Sequence, residues 1–221
     1  VIADDPKSAQ PFRLRILFHM EIQTDICIEE REAQMRLAVI VGQIWKEPAY
    51  QNAARELGQW IGKCGHSLVY GGGESGLMGM VAREVHAQGQ EGDRWWFRVD
   101  DTPFIKDRPQ PYVTELITTA NMSERKQKML ELADGFIALP GGIGTLDEIT
   151  EVITLTKIGV FQKPCILFDR NGFYEPLKTL FERMEAVDFL YQENMKHVLF
   201  SDDVDEIGTF IALYDKMRSE C

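Results

Sequence analysis

Asn121 to Glu151 reads NMSERKQKMLELADGFIALPGGIGTLDEITE, and the architecture of the whole chain can be worked outward from it. Its pattern predicts a helix, a buried strand from Gly135 to Leu139, a glycine turn from Pro140 to Gly144 and a second helix from Thr145. A turn of this kind presents unpaired backbone N–H groups and the positive end of a helix dipole to one anionic group. The stretch therefore reads as a phosphate seat. Arg125 and Glu148 flank it, each placed in the first turn of its helix. In a parallel sheet both would lie at the carboxyl ends of strands, where open α/β sheets bind ligands.

The same alternation runs along the chain on both sides. Arg36 to Val41 reads as a first buried strand, and Pro48 opens a helix whose apolar residues Ala53, Ala54, Leu57, Trp60 and Ile61 recur at helical spacing up to Lys63. Gly65 ends it, and His66 beside it reads as a turn residue. Ser67 to Tyr70 is a short strand, followed by a helix to about Gln88. An aromatic strand follows at 95–99, with Trp95, Phe97 and Val99 on one face. A loop punctuated by Pro103, Pro109 and Pro111 has the composition of a cover over a site. Further strands are expected at Tyr112 to Thr119, Cys165 to Phe168 and His197 to Phe200. Helices are expected at 145–158, 173–186 and 203–217. Strands alternating with helices specify an α/β fold with a Rossmann-like, doubly wound parallel sheet in three layers, α/β/α. Residues 1–34 show no clean period, although Leu14 to Phe18 could add a strand. They are expected to form an extension to a single domain over 35–221 that starts at Met35.

Lys and Arg total 24 against 35 Asp and Glu, a formal charge of −11 over 221 residues. That balance argues against a nucleic-acid surface, so any phosphate must be held locally. The four cysteines, Cys27, Cys64, Cys165 and Cys221, lie far apart without a CxxC pair, which fits reduced thiols in the cytoplasm. No apolar run is long enough to span a bilayer, and no signal pattern opens the chain. There is no GxxxxGK[ST] loop and no HExxH or cysteine cluster, so no metal and no cofactor are expected.

Gly71 to Gly76 forms a second glycine turn between a strand and a helix. Its Gly71-x-Gly73-x-x-Gly76 spacing also satisfies the dinucleotide fingerprint, with Asp100 or Asp101 as a possible ribose partner, which would make the protein an NAD-dependent oxidoreductase. Glycines kept only for a tight turn and close packing are the plainer alternative. Two facing helix N-termini, with Gly72, Gly73 and Gly76 on one side and Gly141, Gly142, Gly144 and Thr145 on the other, suit a compact nucleotide better than NAD.

Pro140 to Glu148, PGGIGTLDE, matches the PGGxGTxxE signature of the LONELY GUY (LOG) family. Ser123-Glu124-Arg125-Lys126 matches the family's basic segment, and Gly71 to Gly79, GGGESGLMG, its other glycine motif. The chain resembles this family from about Met35 to Met217. The resemblance implies a homodimeric, cytoplasmic enzyme of cytokinin activation. It would hydrolyse the N-glycosidic bond of cytokinin riboside 5′-monophosphates, and possibly AMP, to free base and ribose 5-phosphate. Arg125 and Glu148 would be the catalytic pair, with Met122 and Lys126 holding the nucleotide. Val41-Gly42-Gln43-Ile44 departs from the family's Cys-Gly-Ser-Ser-like loop, and 92–101 from its Ile-Pro strand end. Those departures motivate the alternative of a non-catalytic nucleotide carrier or sensor. The lysine decarboxylase label often given to such proteins finds no pyridoxal phosphate setting here.

Glycosidic cleavage passes through an oxocarbenium-like ribose, so the site must put negative charge near C1′ and deliver water. Glu148 suits both tasks, with Arg125 orienting it by a charge-assisted fork. Against this stands a structural reading, in which Thr145-Leu146-Asp147-Glu148 is a capping box and Glu148 returns to the threonine backbone. For Arg125 the plain reading is a solvated residue paired with Glu124 or Glu131. Asp147 is turned about 100° from Glu148 and is not expected to share its site, whereas Glu151, one turn on, is the second-choice carboxylate. Ile149, Val152, Ile153 and Leu155 offer enough apolar surface for both the core and a dimer partner.

Overall fold

The computed structural model describes residues 34–42, 47–89, 96–101 and 114–219. The strand expected at Leu14 to Phe18, the loop residues Gln43 and Ile44, the segment with Pro103, Pro109 and Pro111, and the side-chain faces of Trp95, Phe97 and Val99 lie outside the description.

Seven parallel strands form one sheet: β1 (Arg36–Ile40), β2 (Ser67–Tyr70), β3 (Trp96–Asp101), β4 (Glu115–Thr119), β5 (Gly135–Ala138), β6 (Cys165–Phe168) and β7 (Val198–Ser201). Their order is β4-β3-β2-β1-β5-β6-β7. The chain therefore winds outward from β1 in one direction as far as β4, then returns to the other side of β1 with β5. The carboxyl ends of β1 and β5, paired from Leu37 opposite Gly135 to Ile40 opposite Ala138, form the switch point where such sheets open a ligand crevice.

The central strands β1, β2, β5 and β6 are buried along nearly their whole length because both faces of the sheet are covered there. Leu37, Val39 and Val41 pack with Leu68, Tyr70, Ile137, Leu139, Ile166 and Phe168 under α1 (Pro48–Lys63), α2 (Gly76–Gln88) and α7 (Val204–Ser219). Ala38 and Ile40 pack with Val69, Phe136, Ala138 and Leu167 under α3 (Met122–Leu132), α4 (Ile143–Lys157) and α5 (Glu175–Ala186). The resulting three layers are those expected. Ile149, Val152 and Ile153 are buried in the second core, so these three are not available to a partner. The exposed apolar residues of α4 are Ile143 and Leu146, with Ile158 just beyond its end.

Several boundaries and one covalent feature depart from expectation. The helix expected at 173 is preceded by a single 3₁₀ turn at Arg170–Gly172 and starts at Glu175, and a short α6 (Gln192–Met195) precedes β7. Cys64, at the C-cap of α1, is disulfide-bonded, so not every thiol is reduced. Distance along the sequence does not say which sulfurs meet in space. Cys165 is a free, buried thiol whose pKa burial pushes up to about 12. His66 is a core residue whose Nδ1 accepts the Met35 N–H at 3.3 Å.

Helices α1 and α2 touch backbone to backbone. A Cβ at Gly58 would lie 2.8 Å from the Val81 carbonyl oxygen, and one at Gly62 would lie 2.9 Å from that of Val85. This glycine pair, spaced by four, lets the two helices approach without an intervening layer of side chains.

Candidate active site

Four loops converge at the switch point. After β1, Gly42 sits so close to the β5–α4 turn that a Cβ there would be 3.1 Å from Gly141 Cα. A Cβ on Gly141 would in turn overlap the Thr145 hydroxyl and lie 2.9 Å from the Gly42 nitrogen. Two backbones are thus pressed together, which accounts for glycine at both places. Gly142 and Gly144 are different, since nothing within 4 Å would meet a Cβ at either. Their open side faces solvent, as a surface for an incoming anion must.

The helix after the turn begins earlier than the sequence suggested. Gly142 is the N-cap, without a side-chain capping bond, and Ile143 is the first helical residue. Leu146 N–H, bonded to the Gly142 oxygen at 3.1 Å, is the first to find an intrahelical acceptor. The amides of Ile143, Gly144 and Thr145 precede it at the positive end of the dipole. This start also removes the capping-box reading of Glu148, which stands in the second turn and is bonded elsewhere. The cap of that type occurs on α3. Asn121 Oδ1 accepts the Glu124 N–H at 2.9 Å, while Glu124 Oε2 accepts the Ala120 N–H at 2.8 Å. Glu124 is thereby occupied, and Glu131 pairs with Lys128, so neither is the partner of Arg125.

Arg125 Nη1 donates to Glu148 Oε1 at 3.0 Å, with side-chain exposures of 8% and 14%. The expected fork is a single prong. A second, longer contact runs from Nη1 to Met122 Sδ at 3.8 Å, and Arg125 Nε is buried with no hydrogen-bond partner among the described residues. Burial pushes the Glu148 carboxyl above its ordinary pKa, and the guanidinium beside it pulls it partly back. The remaining terminal nitrogen, Nη2, lies where a Cβ on Gly71 would be. The second glycine turn therefore supplies the space in which the arginine lies, and Gly71 joins the site although only Gly72, Gly73 and Gly76 were singled out as ligand contacts. The signal was present in the first glycine of the motif, but its partner lies on another element.

In that turn Gly72 and Gly76 adopt φ of 87° and 75°, conformations that favour glycine. The buried Gly73 N–H is directed at Met78 Sδ at 3.2 Å. Lys126 Nζ lies 3.0 Å from Asp147 and 2.9 Å from Glu151. Asp147, expected to face away, thus meets the residue next to Arg125. A recess lined by Ile40, Met129, Phe136, Lys126, Glu148 and Glu151 opens beneath the pair. Met122 is 44% exposed at the rim. Among the described residues no His, Cys, Asp or Glu group suits a metal ion, and no helix is long and apolar enough to cross a membrane.

Residues 78–210 match the family model described as "Possible lysine decarboxylase". The chain is 35% identical over 181 residues to the cytokinin riboside 5′-monophosphate phosphoribohydrolase LOG of Oryza sativa subsp. japonica, covering 81% of this chain and 73% of that protein. It is 41% identical over 144 residues to a phosphoribohydrolase of the same description from Arabidopsis thaliana, covering 65% of this chain and 64% of that one. Among solved structures, the molybdenum cofactor binding protein from Rippkaea orientalis superposes with a TM-score of 0.59 at 19% identity, over 80% of this chain and 98% of that one. A molybdenum cofactor carrier protein from Chlamydomonas reinhardtii also gives 0.59, at 18% identity over 81% and 99%. Those two likenesses speak for the fold, and the sequence relatives speak for the family: the chain belongs to the LONELY GUY (LOG) phosphoribohydrolase family, whose members often carry the lysine decarboxylase label.

Proposed function

We propose that this protein hydrolyses the N-glycosidic bond of cytokinin riboside 5′-monophosphates, with AMP as a possible further substrate. Water adds to C1′, the bond from C1′ to the base nitrogen breaks with its electrons going to the base, and the base leaves protonated. The products are free base and ribose 5-phosphate. The observation that carries the reading is the buried Arg125–Glu148 pair at 3.0 Å, set beside the open amides of the β5–α4 turn.

In this reading the 5′-phosphate takes hydrogen bonds from the turn around Gly141, Gly142, Gly144 and Thr145. Gly72, Gly73 and Gly76 bound the nucleotide from the facing turn, and Met122 lies against it at the rim. The carboxylate of Glu148 stabilises positive charge developing on the ribose and takes a proton from the attacking water. Arg125 fixes that carboxylate in place. The seat supplies its own charge, so the reaction as proposed uses no cofactor. The name of the relatives, phosphoribohydrolase, supports the hydrolytic reading over a carrier on the same fold.

Residues 35–221 are proposed to act as one domain, and two copies to form a homodimer; the exposed Ile143, Leu146 and Ile158 along α4 support a partner there. A cytoplasmic setting belongs to the same proposal, with the Cys64 disulfide as the observation that weighs against it. Light scattering and cell fractionation test these two points.

The deciding experiment incubates the protein with isopentenyladenosine 5′-monophosphate or AMP, with the matching nucleosides as controls, and separates released base by chromatography. Release from the monophosphates alone is expected. Tight AMP binding without release would transfer the assignment to a carrier or sensor.

A further inference from the structure

Two neighbouring residues of α3 hold three carboxylates of α4. Arg125 takes Glu148, and Lys126 takes Asp147 at 3.0 Å and Glu151 at 2.9 Å. The second of these clusters has no evident value as a stability device. Asp147 and Glu151 are 61% and 36% exposed, and pairs so open to solvent contribute little. What distinguishes the cluster is its location, since Lys126 and Glu151 line the same recess as Glu148.

An ammonium bonded directly to Glu148 would occupy a carboxylate oxygen that the proposed reaction needs. Held by Asp147 and Glu151 instead, Lys126 leaves those oxygens clear and acts on Glu148 through space, in a partly desolvated recess where charges are weakly screened. We infer that Lys126 is a positioning residue whose charge favours the ionised form of Glu148, and that Asp147 is its counterweight, setting how far that charge is felt. The inference rests on the hydrolytic reading only in taking ionised Glu148 as the working form.

The charges facing Glu148 among the described residues are few. From α3 come Arg125 and Lys126, from α4 comes Asp147, and Glu151 acts on Lys126. The strands contribute only Ile40 and Phe136 at this point. Burial drives the carboxyl toward its neutral form; Arg125 opposes this first, Asp147 adds to it, and Lys126 opposes it. Lys126 is itself held charged, chiefly by Glu151, against its own partial burial. Lys126 and Asp147 carry opposite charges beside Glu148, so removing each should move its titration in opposite directions, which loosening a purely mechanical clamp between helices would not do.

The test is a titration of Glu148 in the full chain, followed by ¹³C NMR with glutamate labelled at the side-chain carboxyl. The resonance is assigned by its loss in Glu148→Gln. Lys126→Gln is expected to move the midpoint up, Asp147→Asn to move it down, and the charge-preserving Lys126→Arg to return it toward wild type. The acid limb of kcat/KM for base release should move the same way in each variant. Midpoints that stay fixed, or that move in one direction for both Lys126→Gln and Asp147→Asn, overturn the inference while leaving any observed hydrolysis intact. Opposed shifts in a protein that releases no base would leave the inference standing and remove the proposed function. If Lys126→Gln fails to fold, a downward shift in Asp147→Asn supports the inference and an upward or absent shift overturns it.

Discussion

Replacing Gly71 with alanine tests whether the second glycine turn exists to house a side chain of the protein. The backbone there needs no positive φ, so alanine meets no conformational penalty. The obstacle is steric, because the added Cβ falls on Arg125 Nη2 with Cζ only 3.1 Å away. The guanidinium is 8% exposed and bonded at 3.0 Å to Glu148, so it cannot give way without loosening that pair. Overpacking of this kind costs about 1–3 kcal/mol. For a domain of this size that corresponds to a fall in Tm of roughly 2–12 °C. Displacing the guanidinium by about 1 Å is expected to lower kcat for base release on the order of 100-fold. Thermal denaturation and the base-release assay read the two effects separately. The decisive comparison adds Arg125→Ala. If Gly71 serves to admit the arginine, Gly71→Ala destabilises the wild type but costs almost nothing once the arginine side chain is gone. Additive losses in the double variant would refute the reasoning.

The other expectations concern the two glycine turns and what supports them. Glu148 has a raised pKa in the folded state, so its contribution to stability is full below the unfolded-state value and is lost as pH rises through the folded one. The stability difference between Glu148→Gln and wild type in urea should therefore shift in favour of the variant as pH rises, while activity falls by about 100-fold or more, and the acid limb of the wild-type kcat/KM profile should lie above the ordinary glutamate value. A difference that shifts toward the wild type as pH rises would contradict the sign. Gly144→Ala places a methyl in open space in the first turn of α4, so Tm should rise slightly, by the equivalent of about 0.5–1 kcal/mol. If the phosphate sits there, KM rises about tenfold, the worth of one charge-assisted hydrogen bond. Tyr174→Phe removes the buried donor to the Leu139 oxygen at 2.7 Å, just before the β5–α4 turn, and should cost about 1–2 kcal/mol by chemical denaturation.

The layers of the fold were legible because the central strands are short apolar runs with both faces to cover, and because glycine, proline or asparagine marks nearly every junction. Ser67–Tyr70 and Gly76–Gln88 were bounded correctly by Gly65 and the GGGESG turn on either side. The start of α4 was not, because Thr145 resembles a cap more than Gly142 does, while the chain geometry that presses Gly42 on Gly141 sets the turn two residues earlier. Arg125 and Glu148 are 23 positions apart, and local pattern alone left Arg125 a solvated charge and Glu148 a capping-box residue. The family motifs singled them out, and the fold brings them together. Asp147 was set aside because helical rotation was measured from Glu148, although the relevant partner, Lys126, approaches from another helix. The role of Gly71 depends likewise on a contact between elements, to which no local pattern points.

The bare contact of α1 with α2 has a consequence at a distance. With Gly58 against the Val81 carbonyl and Glu84 Cβ, and Gly62 against the Val85 carbonyl and Gln88 Cβ, the atoms in contact are backbone or fixed close to it and have little freedom to absorb a change. Any substituent there must push α2 bodily outward, and a stiff rod of 13 residues, about 20 Å long, transmits that push to its end. The end in question is Gly76, joined to the turn in which Arg125 is seated. Gly58 is thus a setscrew for the mouth of the crevice: a methyl added there, against Val81 partway along α2 from Gly76, would register as a change in substrate affinity.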